Sequence, residues 1–482
     1  MNHPVSHFFK NIEYKYLVAA IYTCILFLDR LDLTIVNITL PTLAKHFHVS
    51  IIETDWITNS FLLALAITIP ISSWIGDRFG LKKTFIIATF FYGLSSLLCA
   101  FSPDITFMII MRFVEGLSGG FIIPIGLTMV YRVFDHTEYA SITSYVAIPS
   151  LAAPALGPAL GGLILYLFNW RWVFIFVGPI CFITVITALF LLKEQKNDDN
   201  KQFDWPGFML SATSLILLLY FLTMVSRNGL NITNLFILIW CMLSVYFLIH
   251  FEKTASHPLI NLNYFQNKLF LQANLLQLIF QIAHFGAIFL IGMYLQVGSG
   301  ISALASGIIM GMQAIGAIFV NRYSVKLFQQ FGPSRPLIIG FMGNALLTPC
   351  ILFINHPDKM MMGMALLFIR GIFSGFCGIP IQATGVIDFP KSAIGDVNML
   401  FNAGRQISIS LGVALSSLLI AYGYKVNPQL AHLTQNGIGY PVFIYAFILI
   451  SIVLCFGIIC ALTINNQKVI AIANMTTAPT SM

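Results

Sequence analysis

The chain has 482 residues, 58% of them hydrophobic and only 9% charged, with a formal net charge of +7. A mean hydropathy of +0.87 and a charged fraction far below the roughly 25% of soluble domains exclude a water-soluble globular protein and leave a polytopic membrane protein. The positive charge gives no support to nucleic-acid binding, because loop lysines and arginines account for it.

Apolar blocks able to cross about 30 Å of hydrocarbon, which takes about 20 residues each, fall at 16–40, 54–75, 84–101, 105–130, 140–167, 171–192, 207–226, 232–251, 270–297, 303–322, 336–354, 361–387, 397–422 and 441–464. They predict an all-α chain of fourteen transmembrane helices. The first block reads as a retained helix, since it is too long for a cleaved signal peptide, carries acids and lacks a small-residue cleavage site. Within it, the run Phe27-Leu28-Asp29-Arg30-Leu31-Asp32-Leu33 places two carboxylates where each costs about 2.5–3.5 kcal/mol on insertion scales. Asp29 and Asp32 share a helix face beside Arg30. Two readings stand: a structural ion pair that locks the first helix, or a proton or cation site.

The fourth span carries Arg112 with Glu115 one turn on, a local ion pair or a second titrating acid. In the fifth, Pro149, Ala153, Gly157 and Gly161 recur every fourth residue, with Pro154, Pro158 and Gly162 beside them. Such a stripe admits a close neighbour helix, and interior prolines favour a bend. The span therefore reads as a pivot or as plain tight packing. The charged segment 193–204 and the polar stretch 252–268 flank the seventh and eighth spans. They divide the chain into a six-helix bundle at 1–195, an inserted pair at 196–268 and a second six-helix bundle with a tail at 269–482.

The ninth span places Asn274, Gln277, Gln281 and His284 along one side of an apolar helix. This stripe predicts either a substrate cavity or interhelical hydrogen bonding worth about 0.6 kcal/mol per pair. An internal echo supports two related halves: Arg112, Gly116 and Gly119 recur as Arg370, Gly375 and Gly378, and Arg-Phe-Gly at 78–80 as Gln-Phe-Gly at 330–332. The parallel-repeat plan of secondary transporters follows from it, with the substrate site at the midplane. Lys and Arg concentrate in alternate loops, among them Lys82, Lys83, Arg132, Lys193, Lys253, Lys268 and Lys391, which predicts both termini in the cytoplasm. All eight cysteines fall within apolar spans and read as free core thiols. The sequence holds no P-loop, HExxH or GxSxG motif, so neither an ATP-driven pump nor an enzyme is expected, and no metal or cofactor is predicted.

Gly157-Pro158-Ala159-Leu160-Gly161-Gly162 with Asn169-Trp170-Arg171-Trp172-Val173-Phe174 resembles the antiporter motif of the major facilitator superfamily. The run Leu31 to Asn37 with Leu40-Pro41, Gly76-Asp77-Arg78-Phe79-Gly80, Phe203-Asp204-Trp205-Pro206-Gly207, Tyr294-Leu295-Gln296 and Asn402-Ala403-Gly404-Arg405-Gln406 agree with it. Together with fourteen spans, the set is similar to the EmrB/QacA type of drug:H⁺ antiporter.

The resemblance implies proton-coupled export of small amphipathic compounds by alternating access, with Asp32 as proton carrier and Arg112 as its switch. Asp29 and Glu115 are additional acids, Asn37 joins the cavity candidates, and Asp77, Arg78 and Gly80 form a conformational motif with the fifth-span glycines. Ser73 and Leu81 depart from the family's loop pattern, and Glu115 stands where the family usually has Gln. The resemblance further implies an inner (plasma) membrane location, with a periplasmic adaptor and outer-membrane channel as partners. Export of an endogenous metabolite such as a siderophore or organic acid, proton symport, and a non-transporting membrane sensor or assembly partner are the alternative readings.

Overall fold

The structure, a computed structural model, describes residues 13–49, 51–195, 203–229, 231–255, 258–426 and 440–475. Its long helices are α1 (Tyr14–Phe47), α2 (Ile51–Phe79), α3 (Leu81–Ala100), α4 (Ile105–Val133), α5 (Tyr139–Leu167), α6 (Arg171–Leu191), α7 (Trp205–Asn228), α8 (Ile232–Thr254), α9 (Lys268–Met293), α10 (Ala303–Phe331), α11 (Ser334–Cys350), α12 (Met360–Val386), α13 (Ile394–Val426) and α14 (Tyr440–Leu462), followed by the short α15 (Asn466–Met475). No strand occurs among the described residues. Each apolar block falls mainly within one helix, the largest overruns being at the ends of α10, which reaches Phe331, and α1, which reaches Phe47. Several helices run past the apolar block because backbone hydrogen bonding continues after the hydrophobic residues stop.

Among the described residues, twelve helices are long and apolar enough to cross a membrane. The two long helices outside that set are α1, with 34 residues, and α5, with 29. In α1, Asp29, Arg30 and Asp32 interrupt the apolar run.

Polar side chains close the helix starts and so fix where helices begin. Asp104 Oδ1 accepts from the Phe107 amide at 2.8 Å, Asn231 Oδ1 from Asn234 at 2.8 Å and Asn267 Oδ1 from Leu269 at 3.0 Å, each satisfying a free amide of the first turn. Asp204 explains its own motif: Oδ1 caps α7 through the Gly207 amide at 2.8 Å, and Oδ2 takes the Leu259 amide at 3.2 Å. A Cβ on Gly207 would stand 2.2 Å from that carboxylate.

Helix pairing repeats along the chain. α1 packs on α5, α2 on α4, and α3 on α4 and α6; eight helices later α9 packs on α13, α10 on α12, and α11 on α12 and α14. Close approach within the α2–α4 and α10–α12 pairs runs through glycines, where an added Cβ would meet Phe61 O at 2.2 Å (Gly116) and Gln313 O at 2.0 Å (Gly371). The sequence echo pairs Gly116 with Gly375 and Gly119 with Gly378; Gly375 lies on this face, where an added Cβ would meet Ala317 O at 2.8 Å. Gly378 meets nothing within 4 Å, because the face buried against α10 carries Gly371 and Gly375.

The hairpin α7–α8 lies at the seam between the two sets. α7 packs on α2 and on α13, whereas α8 packs chiefly on α7. The far side of the seam is α5 against α10. The cysteines are free, but Cys24 and Cys455 are exposed rather than in the core. An apolar residue of a membrane helix can face lipid as readily as protein, so hydropathy alone does not separate the two.

Candidate functional site

Where α1 passes α4, three buried charged side chains meet. Arg112 Nη1 lies 2.7 Å from Asp32 Oδ2 and 2.8 Å from Glu115 Oε2, and none of the three side chains is exposed. Arg112 Nε donates to Ile57 O at 3.4 Å, and the guanidinium sits 4.6 Å above the Phe61 ring. The pairing of Asp32 with Arg112 bridges 80 residues of sequence. Glu115 comes to the same nitrogen from the next turn of α4, as its spacing predicts.

Asp29 belongs to the same region but is held differently. It is 2% exposed, and its Oδ2 stands 3.7 Å from Arg30 Nε. Neither of its oxygens has a hydrogen-bond partner, and the same is true of Asp32 Oδ1, Glu115 Oε1 and Arg112 Nη2. Unfilled hydrogen-bond capacity on buried charged groups is costly. Three carboxyls thus share two guanidiniums.

The α5 stripe packs against α1 beside this cluster. An added Cβ at Gly157 would stand 2.0 Å from Thr34 Oγ1, and one at Gly161 would touch Ile35 Cγ2 at 3.4 Å. Ala153 is fully buried. α5 remains one continuous helix through Pro149, Pro154 and Pro158; the side-chain surroundings of Pro154, Pro158 and Gly162 lie outside the described residues, as does the side chain of Asn37.

At one end of the bundle the two halves are joined. Asp77 Oδ1 accepts from Arg132 Nη2 at 2.7 Å, and Gly395 of α13 approaches the Arg132 guanidinium and the Asp77 carboxylate. Ser73 donates to Asp396 Oδ1, and Tyr264 donates to Asp396 Oδ2 at 3.2 Å. Burial, and then the charge of Asp396, hold the Tyr264 phenol above its usual range, so it remains a donor. Asn398 Nδ2 meets Thr128 Oγ1 at 3.4 Å and Asn321 Nδ2 meets Ser144 O at 3.3 Å. Ser73, the departure from the expected loop pattern, therefore makes an inter-half bond of its own.

Gly80 has φ +99, and a Cβ there would lie 2.4 Å from Glu194 Oε1. That carboxylate accepts the Lys82 amide at 3.0 Å and the Lys83 amide at 3.3 Å, capping α3. Arg78 takes part in the same turn region and is also partnered.

The ninth-span stripe divides. Gln277 Nε2 donates to Phe401 O at 2.8 Å across to α13, and Asn274 Nδ2 to Phe270 O at 2.9 Å on its own helix, so these two serve packing. The His284 ring lies 5.0 Å from that of Phe280, tilted by 30°, with Nδ1 unpartnered. Gln281 is half-buried beside it. Sequence reasoning missed Arg132, Glu194, Tyr264 and Asp396 as contact residues. Asp396 in the first turn of a helix was the available signal, but its partner Ser73 is 323 residues away.

Arg370, the echo of Arg112, is equally buried but lacks acids: Nη1 donates to Gln313 Oε1 at 2.6 Å and Nε to Thr348 Oγ1 at 3.2 Å. Among the described residues, the carboxylate–guanidinium contacts of the helix interior thus lie in the first half.

Residues 22–413 match the Major Facilitator Superfamily, and the chain belongs to that family. It is 27% identical over 411 residues to the multidrug resistance protein B homolog of Mycobacterium tuberculosis (strain ATCC 25618 / H37Rv), covering 83% of this chain and 75% of that protein. The crystal structure of the human organic anion transporter MFSD10 (TETRAN) is similar with a TM-score of 0.66 at 12% identity, covering 93% of this chain and 99% of that one. The proton:xylose symporter XylE bound to 6-bromo-6-deoxy-D-glucose gives a TM-score of 0.60 at 14% identity over 93% and 94% of the two chains. At those identities the likeness shows the fold alone. The chain is a multi-pass membrane transporter of small molecules, and it is not an enzyme.

Proposed function

We propose that this member of the major facilitator superfamily is a proton-coupled antiporter that exports small amphipathic compounds, a multidrug efflux protein working by alternating access. The observation that carries the reading is the buried Asp32–Arg112–Glu115 cluster, whose three carboxyl-to-guanidinium contacts with Asp29 and Arg30 leave one surplus acid to hold a proton. Asp32 on α1 and Arg112 on α4 belong to the same bundle, so a shift of α1 against α4 is what parts the pair and lets a proton take the place of the arginine as partner of the carboxyl.

In this reading all fourteen long helices cross the membrane, α1 and α5 included, because the charges of α1 face partners rather than lipid. The two bundles are 1–195 and 269–482, with 196–268 inserted between them. Both termini are cytoplasmic in the inner (plasma) membrane, as the loop lysines and arginines favour. The joined end, with Ser73, Asp77, Arg132 and Asp396, then faces the cytoplasm, and the structure represents a state closed on that side. Gly157 and Gly161 form the contact on which α5 moves against α1. The multidrug resistance name of the Mycobacterium relative supports the substrate class.

One proton crossing 100 mV supplies about 2.3 kcal/mol, enough for about a fiftyfold concentration ratio when net charge moves. The test is proton release from energised inverted vesicles on addition of lipophilic cations, weak-acid uncouplers or siderophores. A substrate-dependent signal that disappears in Asp32→Asn supports the reading. A signal that survives intact in that variant removes Asp32 as carrier, and silence across the panel removes multidrug export.

A further inference from the structure

Where α9 begins and α14 ends, the surface carries a polar cavity of about 360 Å³, lined by Gln266, Asn267, Lys268, Gln272, Asn465 and Lys468 among others. Asp388, in the connection from α12 to α13, stands at its wall, with Oδ2 accepting from Asn267 Nδ2 at 2.8 Å and from Lys468 Nζ at 2.6 Å. The cavity therefore lies at the same end of the bundle as Asp396. Asp388 occupies one of the two lysines. Lys268 is exposed, and among the described residues no acid forms an ion pair with it. Two ammoniums and one carboxylate leave one uncompensated positive charge, and the other lining residues carry none.

The faces that run from the cavity along the two helices are apolar and uncovered. α9 packs on α14, and Gln272 Nε2 joins their ends by donating to Thr463 O at 3.1 Å and Thr463 Oγ1 at 3.0 Å. Leu271 and Leu275 follow Lys268 by one and two turns on the same side of α9, the second about 10 Å further along. Ile459, Phe456 and Ile452 precede Thr463 on one side of α14, and these five side chains are 41–60% exposed. In a membrane-spanning bundle they face acyl chains. A basic cavity at the end of the helices thus continues into lipid-facing surface.

We propose that this cavity binds an anionic phospholipid, its phosphodiester held by Lys268 and Lys468 and its acyl chains lying against the exposed faces of α9 and α14. The single excess charge matches a phosphodiester monoanion. A zwitterionic lipid brings its own cation to the lysines and gains less. Lysine stems run along apolar surface while their ammoniums reach the headgroup layer, and basic pockets between membrane helices suit anionic headgroups. Because Lys468 belongs to α15, the lipid ties this short terminal helix to the start of α9. The inference needs only that the chain spans a membrane, not the antiport reading; in the orientation proposed above the lipid sits in the cytoplasmic leaflet.

The test titrates phosphatidylglycerol or phosphatidylcholine with the same acyl chains into the purified full-length protein in detergent, with the first bound lipid followed by native mass spectrometry. Phosphatidylglycerol is expected to bind several-fold more tightly. Lys268→Gln lowers its affinity about fivefold, the worth of one lysine at an anionic headgroup, and leaves phosphatidylcholine unchanged, whereas Lys268→Arg keeps the preference. Lys83→Gln, which removes an exposed lysine of α3, changes neither affinity. Equal affinity of the wild type for the two lipids overturns the site, as does an equal loss of preference in Lys83→Gln and Lys268→Gln, which would assign the effect to diffuse surface charge. Displacement of the lipid by an equal concentration of sn-glycerol 3-phosphate would make a free phosphate the ligand and overturn the lipid. No proton gradient enters the measurement, so failure of proton antiport leaves its result standing.

Discussion

Asp32 Oδ2 and Arg112 Nη1 lie 2.7 Å apart across the α1–α4 contact, with both side chains fully buried. The same nitrogen also serves Glu115, so one cation is shared between two carboxylates and neither is fully neutralised. Asp32→Asn is expected to abolish substrate-driven proton release while retaining substrate binding to the purified protein. Glu115→Gln leaves the Asp32–Arg112 pair in place, so it slows coupled transport without abolishing it. Vesicle proton flux and detergent binding, measured on both variants, check the pair.

Replacing Arg112 is a harsher change, since it strands two carboxylates. Removing one member of a buried ion pair costs about 3–5 kcal/mol, and Arg112→Ala is expected to lower the thermal unfolding temperature sharply. Arg112→Lys also fails to restore transport, because an ammonium cannot reproduce the planar reach to Asp32, Glu115 and the Ile57 carbonyl. Adding Glu115→Gln to Arg112→Ala recovers part of the lost stability, which a thermal shift assay reads directly.

Gly157 tests the α1–α5 contact. A methyl group there would stand 2.0 Å from Thr34 Oγ1 and 2.6 Å from Thr34 Cβ, distances at which one helix must shift. Gly157→Ala is expected to slow transport at least several-fold with substrate binding preserved. Thr34→Gly in the same chain restores a large share of the rate, whereas Thr34→Ala restores less because its Cβ remains. No recovery in the double variant would mean that Gly157 acts through something other than this contact.

Asp396 joins the halves through Ser73 and accepts a second bond from Tyr264. Asp396→Asn removes the charge that strengthens both bonds, each worth about 1.5–3 kcal/mol when charge-assisted. The closed end then opens more often. A cysteine placed at Thr128, buried here beside Asn398, is expected to react faster with a water-soluble maleimide in Asp396→Asn than in the parent. Equal labelling rates would show that this end is held by other contacts.

Gly80 and Glu194 separate backbone strain from a steric clash. Glu194→Ala uncaps α3 and costs about 1 kcal/mol. Gly80→Ala costs more, since it adds strain at φ +99 to the clash with the carboxylate. Combining the two relieves only the clash, so the double variant stays less stable than Glu194→Ala alone, as thermal unfolding in detergent will show.

Much of the helix layout was legible because bilayer crossing imposes a length and a composition that run locally along the chain. The caps at Asp104, Asp204 and Asn231 join residues three positions apart and are also local, although they were not singled out from the sequence. The stripe at Gly157 and Gly161 was readable as a close-packing face, and its partner turned out to be Thr34 and Ile35 of α1. The ninth-span stripe shows the limit. Its spacing placed Asn274 and Gln277 on one side of a helix, but only the position of α13 assigned Gln277 to the Phe401 carbonyl instead of open cavity.

Sequence by itself determined that the chain is an all-helical membrane protein, that acids and an arginine are embedded in its first half, and that Arg112 has an echo in Arg370. Those properties follow from hydropathy, spacing and cost of burial, each of which is a function of near neighbours. Tertiary structure decided which charges meet. Asp32 and Glu115 compete for one nitrogen of Arg112, and Arg370 has only amide and hydroxyl partners. Apart from the local Arg112–Glu115 contact, those relations join residues separated by 22 to 80 positions, and pairing over such distances is set by how helices pack, a cooperative property of the whole bundle that no local pattern encodes.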